Sequence, residues 1–236
     1  MLAILKKELR SYFTGVVGYV FLVIYLLAAG LVFAYTTLYS MSGDVTGFYL
    51  VMLLFSAIML PLLTMKSFSE ERRSKTEQLI LTSPVSLIGI VMGKFLASYI
   101  VFACTSLFTS LYFLLLIPYT QIKWMVLIGN VMALLLVGLV FISIGLFVSA
   151  LSENQLSAAV GTIAIILGFL AIGLVGSLVP AQSKIRSVLD ALSIFRRFQT
   201  FTSGYFDLST LVYYLSIGGI FLWLTVRVFD RRRYDG

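Results

Sequence analysis

The chain has 236 residues, of which 60% are hydrophobic and only 11% are charged, and its formal net charge is +7. Its mean hydropathy is +1.05, and soluble domains usually carry about twice this share of charged residues. So little polar side-chain surface excludes a soluble enzyme and indicates a protein that is dissolved in lipid.

The first fourteen residues predict an amphipathic helix (1–14) that lies flat on the membrane. Its apolar residues recur at helical spacing and its cations occupy the other side: Leu2, Leu5, Leu9, Tyr12 and Phe13 against Lys6, Lys7 and Arg10. This pattern is typical of helices that bury one face at the lipid boundary and hold cations near anionic headgroups. The alternative is a solvated basic tail, which would not need the periodicity.

Six runs without a charged residue follow, and each is long enough to cross a hydrocarbon core of about 30 Å as an α-helix. They predict spans at 16–40, 47–66, 92–117, 125–150, 156–179 and 208–229. Unpaired backbone amides are too costly in lipid for open strands, so we expect an all-α polytopic membrane protein, with 1–236 as a single transmembrane domain.

The lysines and arginines predict that both termini are cytoplasmic. With that orientation, the inner segments hold twelve of the seventeen cations, and the outer segments hold Lys123, Lys184, Arg186, Arg196 and Arg197. The bias follows the positive-inside rule, although the outer cations weaken it.

The inner loop between the second and third spans (68–86) predicts a charged helix that ends in an apolar knob. Two pairs of opposite charge stand four residues apart, Glu71 with Lys75 and Arg73 with Glu77, and this spacing lets them meet on one helix face. Leu79, Ile80 and Leu81 follow, and Pro84 turns the chain back. A solvated loop is the alternative, but it would not need three apolar residues, so a cytoplasmic protein partner is favoured.

The outer segment between the fifth and sixth spans (180–207) predicts an interfacial or re-entrant helical element. One apolar stripe repeats at spacings of three and four, namely Ile185, Val188, Leu189, Leu192 and Phe195. Charged residues flank the stripe, as in helices that lie in the membrane interface. Gly204 and Asp207 predict a turn and the N-cap of the last span.

Several kinds of chemistry are excluded by composition. The chain has no histidine and one cysteine, Cys104, which rules out an intrachain disulfide, a histidine–cysteine metal site and a serine–histidine–carboxylate set. The stretch from Gly89 through Gly93 to Lys94 imitates a phosphate-binding loop, but it has three residues between its glycines instead of four, and Phe95 stands where a serine or threonine is needed. We therefore expect Lys94 to snorkel from the inner end of the third span.

Three stretches resemble the type-2 ABC exporter permeases. The opening from Leu5 to Phe13 resembles their interfacial elbow helix, and the stretch from Phe68 to Ser86 with Gly93 and Lys94 is similar to their coupling loop and third-span entry. The ending, from Gly204 to Ser209 and then Arg231 to Arg233, is similar to the gliding-motility-associated branch.

This resemblance implies two permease copies or paralogues with a dimer of cytoplasmic ABC ATPases, which bind the ATP and Mg; this chain itself binds no cofactor and is not an enzyme. The implied residues form three sets. ATPase coupling falls to Glu70, Glu71, Arg72, Arg73, Lys75, Thr76, Glu77, Leu79 and Ile80; the elbow helix holds Lys6, Lys7, Glu8 and Arg10; the candidate dimer interface or gate holds Phe48, Met52, Phe55, Met59, Gly161 and Gly168.

Three functions stay open on the sequence. The leading one is an export permease of the bacterial inner membrane, which moves an amphiphilic or polymeric substrate without nucleic acid as partner and with a possible auxiliary membrane or periplasmic protein. The second is a non-transporting anchor that passes ATP-driven motion to a periplasmic or cell-wall partner. A passive channel or ion-coupled carrier is disfavoured, because no acidic residue stands in the middle of a span.

Overall fold

The computed structural model describes residues 1–39, 45–76, 86–118, 123–178, 183–202, 204 and 207–235, and every regular element within them is helical. In chain order the α-helices are α1 (Leu2–Thr14), α2 (Val16–Phe33), α3 (Val45–Thr64), α4 (Lys66–Arg73), α5 (Leu87–Ser110), α6 (Trp124–Leu151), α7 (Gln155–Leu178), α8 (Lys184–Leu192), α9 (Ile194–Thr202) and α10 (Leu208–Asp235). A π-helical turn, Ala34–Tyr39, extends α2, and a 3₁₀ turn, Leu111–Leu116, extends α5.

The six spans are confirmed, since α2, α3, α5, α6, α7 and α10 are the helices of the described residues that are long and apolar enough to cross a membrane. The third span begins at Leu87, five residues before the predicted start at 92, because Ser86 caps it: its side-chain oxygen accepts from the Gly89 amide at 3.2 Å.

The bundle is built around α6. In an apolar 18-residue stretch of each helix, 72% of the residues of α6 are buried, against 28% in α2 and 17% in α10. Gly138 and Gly145 of α6 let neighbours approach closely, because a Cβ at either position would collide with Phe102 of α5 or Thr64 of α3. The surfaces of α2 and α10 are left for lipid or for another subunit.

Two ends of the bundle can be distinguished. At the end called here the junction end, α1 and α4 lie beside the start of α5 and the C-terminal ends of α6 and α10. At the opposite end, α8 and α9 cover the ends of the spans, and there the Tyr213 and Tyr214 hydroxyls of α10 donate to the carbonyls of Leu192 and Ile194.

The outer segment contains two short helices instead of one continuous stripe. The helix is interrupted at Ser193, which is fully buried. The Ser193 Oγ accepts from the Arg196 amide at 3.1 Å, so that Ser193 caps the start of α9. Phe195 therefore belongs to a different helix from Leu189 and Leu192, and the side chains of Ile185 and Val188 lie outside the described part. The apolar repeat in the sequence did not predict this break, because a serine can either continue a helix or cap one.

The predicted turn and cap before the last span are confirmed. Gly204 has a φ of +79°, which only glycine adopts without strain. The Asp207 carboxylate accepts from the Ser209 amide at 3.0 Å and from the Thr210 hydroxyl at 2.7 Å. The Thr210 bond and, after it, the Ser209 bond lower the pKa of Asp207.

Candidate functional site

The junction end holds a buried lysine that is bonded to three segments of the chain. Lys94, near the start of α5, is 3% exposed. Its ammonium lies 3.0 Å from Glu8 Oε1 of α1, 2.8 Å from Glu71 Oε1 of α4 and 2.6 Å from the Ser67 carbonyl. The Phe68 ring lies 5.0 Å from the same nitrogen. One cation thus joins α1, α4 and α5.

The expectation that Lys94 snorkels towards headgroups is therefore wrong. The side chains of its two carboxylate partners are only 15% and 17% exposed, so all three groups are largely withdrawn from water. A buried ammonium is stable when carboxylates and a carbonyl satisfy all of its donors, as they do here. With two acids against one base, these three groups carry an excess negative charge.

Ser149 of α6 fixes the start of α4. Its Oγ accepts from the amides of Phe68 at 3.1 Å and Ser69 at 3.2 Å, and it donates to the Met65 carbonyl at 3.1 Å. Amides of a first helical turn have no partner within their own helix. Ser149 supplies that partner from a neighbouring helix, so α4 cannot shift without breaking its bonds to α6.

Two arginines hold the C-terminal end of α6. Arg72 of α4 donates to the Leu151 carbonyl at 2.9 Å and forms an ion pair with Glu153 at 2.6 Å. Arg232 of α10 donates to the Ala150 carbonyl at 2.7 Å. The last carbonyls of a helix carry partial negative charge and lack partners, which makes them good acceptors for arginine.

Aromatic packing adds α10 to the same assembly. The rings of Phe68 and Phe229 lie 4.7 Å apart, and both are buried. The short helix α4 is thus bound to α5 through Glu71, to α6 through its first turn and Arg72, and to α10 through Phe68.

The helix α1 packs directly against α5. The Tyr12 hydroxyl lies 2.9 Å from Ser98 Oγ and donates to the Leu63 carbonyl at 3.3 Å, and burial raises the pKa of Tyr12. At Gly93, a Cβ would come within 2.9 Å of Ile4 Cγ2, so only glycine lets α1 approach this closely.

The predicted coupling residues do not share one environment. Glu71 and Arg72 are half-buried and bonded as described, whereas Glu70, Arg73, Lys75 and Thr76 are exposed. Glu77, Leu79 and Ile80 lie outside the described residues, together with the predicted knob.

The predicted pairing of Glu71 with Lys75 is wrong. The helix α4 ends at Arg73, and the amides of Lys75 and Thr76 donate back to the carbonyls of Arg72 and Glu71 at 3.1 and 3.0 Å. This is a Schellman motif, and it places Lys75 in the left-handed region with φ of 57°. Lys75 therefore leaves the helix before it can lie one turn above Glu71, which pairs with Lys94 instead. The pairing of Arg73 with Glu77 falls outside the described residues.

The charged residues of α1 divide in two. Lys6, Lys7 and Arg10 are exposed, whereas Glu8 faces α5 and binds Lys94.

The candidate interface residues of α3 and α7 also fall into groups. Phe48 and Met52 are completely buried within the chain, and Phe55 and Met59 are half-buried. On α7, Gly161 is half-buried against Val148, and Gly168 is exposed, so that a Cβ added there would meet no neighbouring group within 4 Å. Of these residues, Gly168 is the one on an open surface.

Two further glycines of α7 face the outer helices. A Cβ at Gly173 would collide with Ser193 Oγ, and one at Gly176 would lie 3.1 Å from Asp190 Oδ1. The missing side chains of these glycines make room for α8 and for the break before α9.

The opposite end has a polar cavity of about 450 Å³ between α8, α9 and α10. Asp190 lies 3.2 Å from Arg196 and 3.6 Å from Arg186. Arg197 donates to the Ala191 carbonyl at 3.0 Å and lies 4.4 Å from the centre of the Tyr213 ring. These contacts tie Arg186, Arg196 and Arg197 into the protein.

Sequence reasoning missed Ser149, Glu153 and Arg232 as parts of the junction. A signal for part of it was present: Lys94 is a cation in an otherwise apolar stretch, and such a cation needs a partner. The sequence could have suggested Glu8 and Glu71 as its partners, because both lie in segments predicted to be on the same side of the membrane as Lys94. Nothing in the local sequence marks Ser149.

The six apolar helices define a multi-pass membrane protein, and the polar junction lies at one end of them. Residues 26–229 match a family described as ABC-2 family transporter protein, and this match covers most of the chain, so the chain belongs to that family. Proteins of this family are generally non-catalytic membrane subunits that work with an ATPase. A comparison with curated proteins finds no match.

Proposed function

We propose that the chain is the permease subunit of an ATP-driven exporter, and that a separate cytoplasmic ABC ATPase dimer binds at the junction end. Family membership supports the permease, and the charge bias supports the orientation: twelve of the seventeen cations belong to the segments at the junction end. In this orientation both termini are cytoplasmic. The proposed location is the bacterial inner membrane. The ATP and Mg are bound by the partner.

The observation that carries the proposal is the set of bonds around Lys94. Because its ammonium binds Glu8, Glu71 and the Ser67 carbonyl, a displacement of α4 moves α1 and α5 with it. Ser149 and Arg72 add α6 to the same movement. Packed elements with discrete partners move together, so a push on α4 by a closing ATPase reaches several spans at once.

The ATPase contact itself falls to the exposed part of the inner loop. Arg73 of α4 is exposed, as are Lys75 and Thr76 after it, and the apolar Leu79 and Ile80 follow in the sequence. A specific protein contact usually combines apolar side chains with a polar rim, and the sequence of the inner loop supplies residues of both kinds.

The proposed substrate is amphiphilic or polymeric. The sequence of the spans has long stretches without a charged residue. Most of the buried polar side chains described there carry hydroxyl groups, such as those of Tyr25 and Ser56, which lie 3.0 Å apart. Such a path suits apolar and hydroxyl-rich surfaces better than ions. A second permease copy or paralogue completes the path, and the C-terminal sequence favours the gliding-motility-associated branch.

The test is a purified complex of the chain with an ABC ATPase from the same organism, a neighbouring reading frame being the first candidate. Replacing Leu79 and Ile80 by Asp should abolish co-purification and the stimulation of ATP hydrolysis, because the new charges lie in an apolar contact. Lys94→Met should keep co-purification but lose the stimulation, because the contact stays while its link to α1 and α5 is removed. Membrane insertion of both variants is the control.

Failure of the parental chain to associate with any ATPase would contradict the proposal. The mechanical alternative is separated by proteoliposomes: a complex that hydrolyses ATP without moving any lipid-like or polymeric cargo supports an anchor that transmits force.

A further inference from the structure

A second cavity, of about 480 Å³, lies at the junction end between α1 and α4. Its volume is in the range of small-ligand sites. Three lysines and three glutamates line it, together with hydroxyl groups: Lys7, Lys66, Lys94, Glu8, Glu70 and Glu71.

Half of these charges are already paired with one another. Lys94 binds Glu8 and Glu71, as described above. Among the described residues, Lys7, Lys66 and Glu70 form no ion pair. The cavity therefore offers two cations and one carboxylate, beside a cluster that has an excess negative charge, and its total charge is balanced.

One wall of the cavity leads to lipid. Gly15, Val16 and Val17, where α1 meets the first span, line it. From there an apolar surface continues along α2 through Val16, Tyr19, Val20, Val23 and Leu27, which are between 46% and 76% exposed. A ligand can thus place a polar group in the cavity and apolar chains along α2.

We infer that this cavity binds the headgroup of a phospholipid with a free ammonium group, of the phosphatidylethanolamine class, from the leaflet at the junction end. Lys7 and Lys66 bind its phosphate, and Glu70 accepts from its ammonium. The two acyl chains lie on the exposed face of α2.

Charge complementarity selects this lipid over the others. A lining with both signs matches a zwitterion better than a net anion, such as phosphatidylglycerol. Phosphatidylcholine has the same two charges, but its quaternary ammonium has no N–H to donate to a carboxylate. Charge-assisted hydrogen bonds of this kind are roughly twice as strong as neutral ones.

The experiment is native mass spectrometry of the purified full chain in detergent, titrated with the three lipids carrying identical acyl chains. It needs no ATPase, so it is independent of the proposed function. We expect the ethanolamine lipid to bind about tenfold more tightly than the choline or glycerol lipid, as expected for one charged hydrogen bond.

Matched variants locate the site. Each of the variants Lys7→Ala, Lys66→Ala and Glu70→Gln should lower the affinity for the ethanolamine lipid by about threefold to tenfold. Lys6→Ala is the control, because Lys6 is the exposed neighbour on α1 that does not line the cavity, and it should leave the affinity unchanged. Circular dichroism of each variant checks the fold.

Three results would overturn the inference. Equal or tighter binding of the glycerol lipid would indicate general attraction of cations to an anionic surface. An equal effect of Lys6→Ala and Lys7→Ala would indicate the same. Displacement of the lipid by inorganic phosphate at the same concentration as by phosphoethanolamine would indicate a plain anion site, because the ammonium would then add nothing.

Discussion

Replacement of Lys94 by Met tests the buried charge cluster directly. In the parental chain, oxygens of Glu8 and Glu71 lie 3.0 and 2.8 Å from one nitrogen, so they are no more than about 6 Å apart. Without the ammonium they repel each other by about 3 kcal/mol at an effective dielectric constant of about 20. Removal of one partner from a buried ion pair typically costs about 3–5 kcal/mol. We expect a loss near the lower limit, because both carboxylates keep some contact with water.

The assay is reversible unfolding in mixed micelles, followed by circular dichroism as the denaturing detergent is increased. Glu71→Gln is the matched control: its amide oxygen can still accept from Lys94 and the excess charge is gone, so the loss should stay below about 1 kcal/mol. The Lys94→Met defect should also be smaller at low pH, where a proton on one carboxyl removes the repulsion. A Lys94→Met chain within about 0.5 kcal/mol of the parent would refute a buried ammonium between two carboxylates.

Three further substitutions test other parts of the fold by the same unfolding assay. Ser149→Ala should lower the free energy of unfolding by about 1–2 kcal/mol, because two amides of α4 lose their acceptor. Unchanged stability would mean that water replaces the Ser149 hydroxyl as acceptor. Lys75→Gly should raise stability by up to about 1 kcal/mol by relieving a left-handed backbone, and a loss would argue against the Schellman motif. Gly173→Ala should destabilise by about 1–3 kcal/mol through its collision with the outer helices, while Gly168→Ala on the open face should not. Equal effects of the two alanines would contradict the packing of α7.

The spans could be predicted from the sequence because lipid imposes one simple rule. A helix must be apolar over its whole crossing, so runs without charge mark the spans whatever their neighbours are. The break at Ser193 and the early start at Ser86 depend on single serine side chains acting as caps, and the same residue type also occurs inside helices, as Ser98 does. Local sequence does not separate these cases.

The junction could be predicted only in part. The segments that meet there were identified from charge and periodicity, including the helix with Glu71 and the lysine at the start of α5. The partners were not, because they are set by how α1 and α4 pack on α5 and α6. Glu71 had a nearby candidate in Lys75 by helical spacing, and the Schellman motif removed it. Pairing rules for isolated helices fail where a helix ends in a tight turn.

The position of Lys94 in the chain also sets an order of assembly. Glu8 is synthesised 86 residues before Lys94 and Glu71 is synthesised 23 residues before it. During translation neither acid can bind Lys94 until the start of α5 has been synthesised, so α1 has no ionic partner in α5 until then. A third crossing inserted upside down would carry its lysine to the far side and leave both acids unmatched. The ion pairs of Lys94 with Glu8 and Glu71 thus favour the correct orientation of the first three spans while the second half of the protein is still being synthesised.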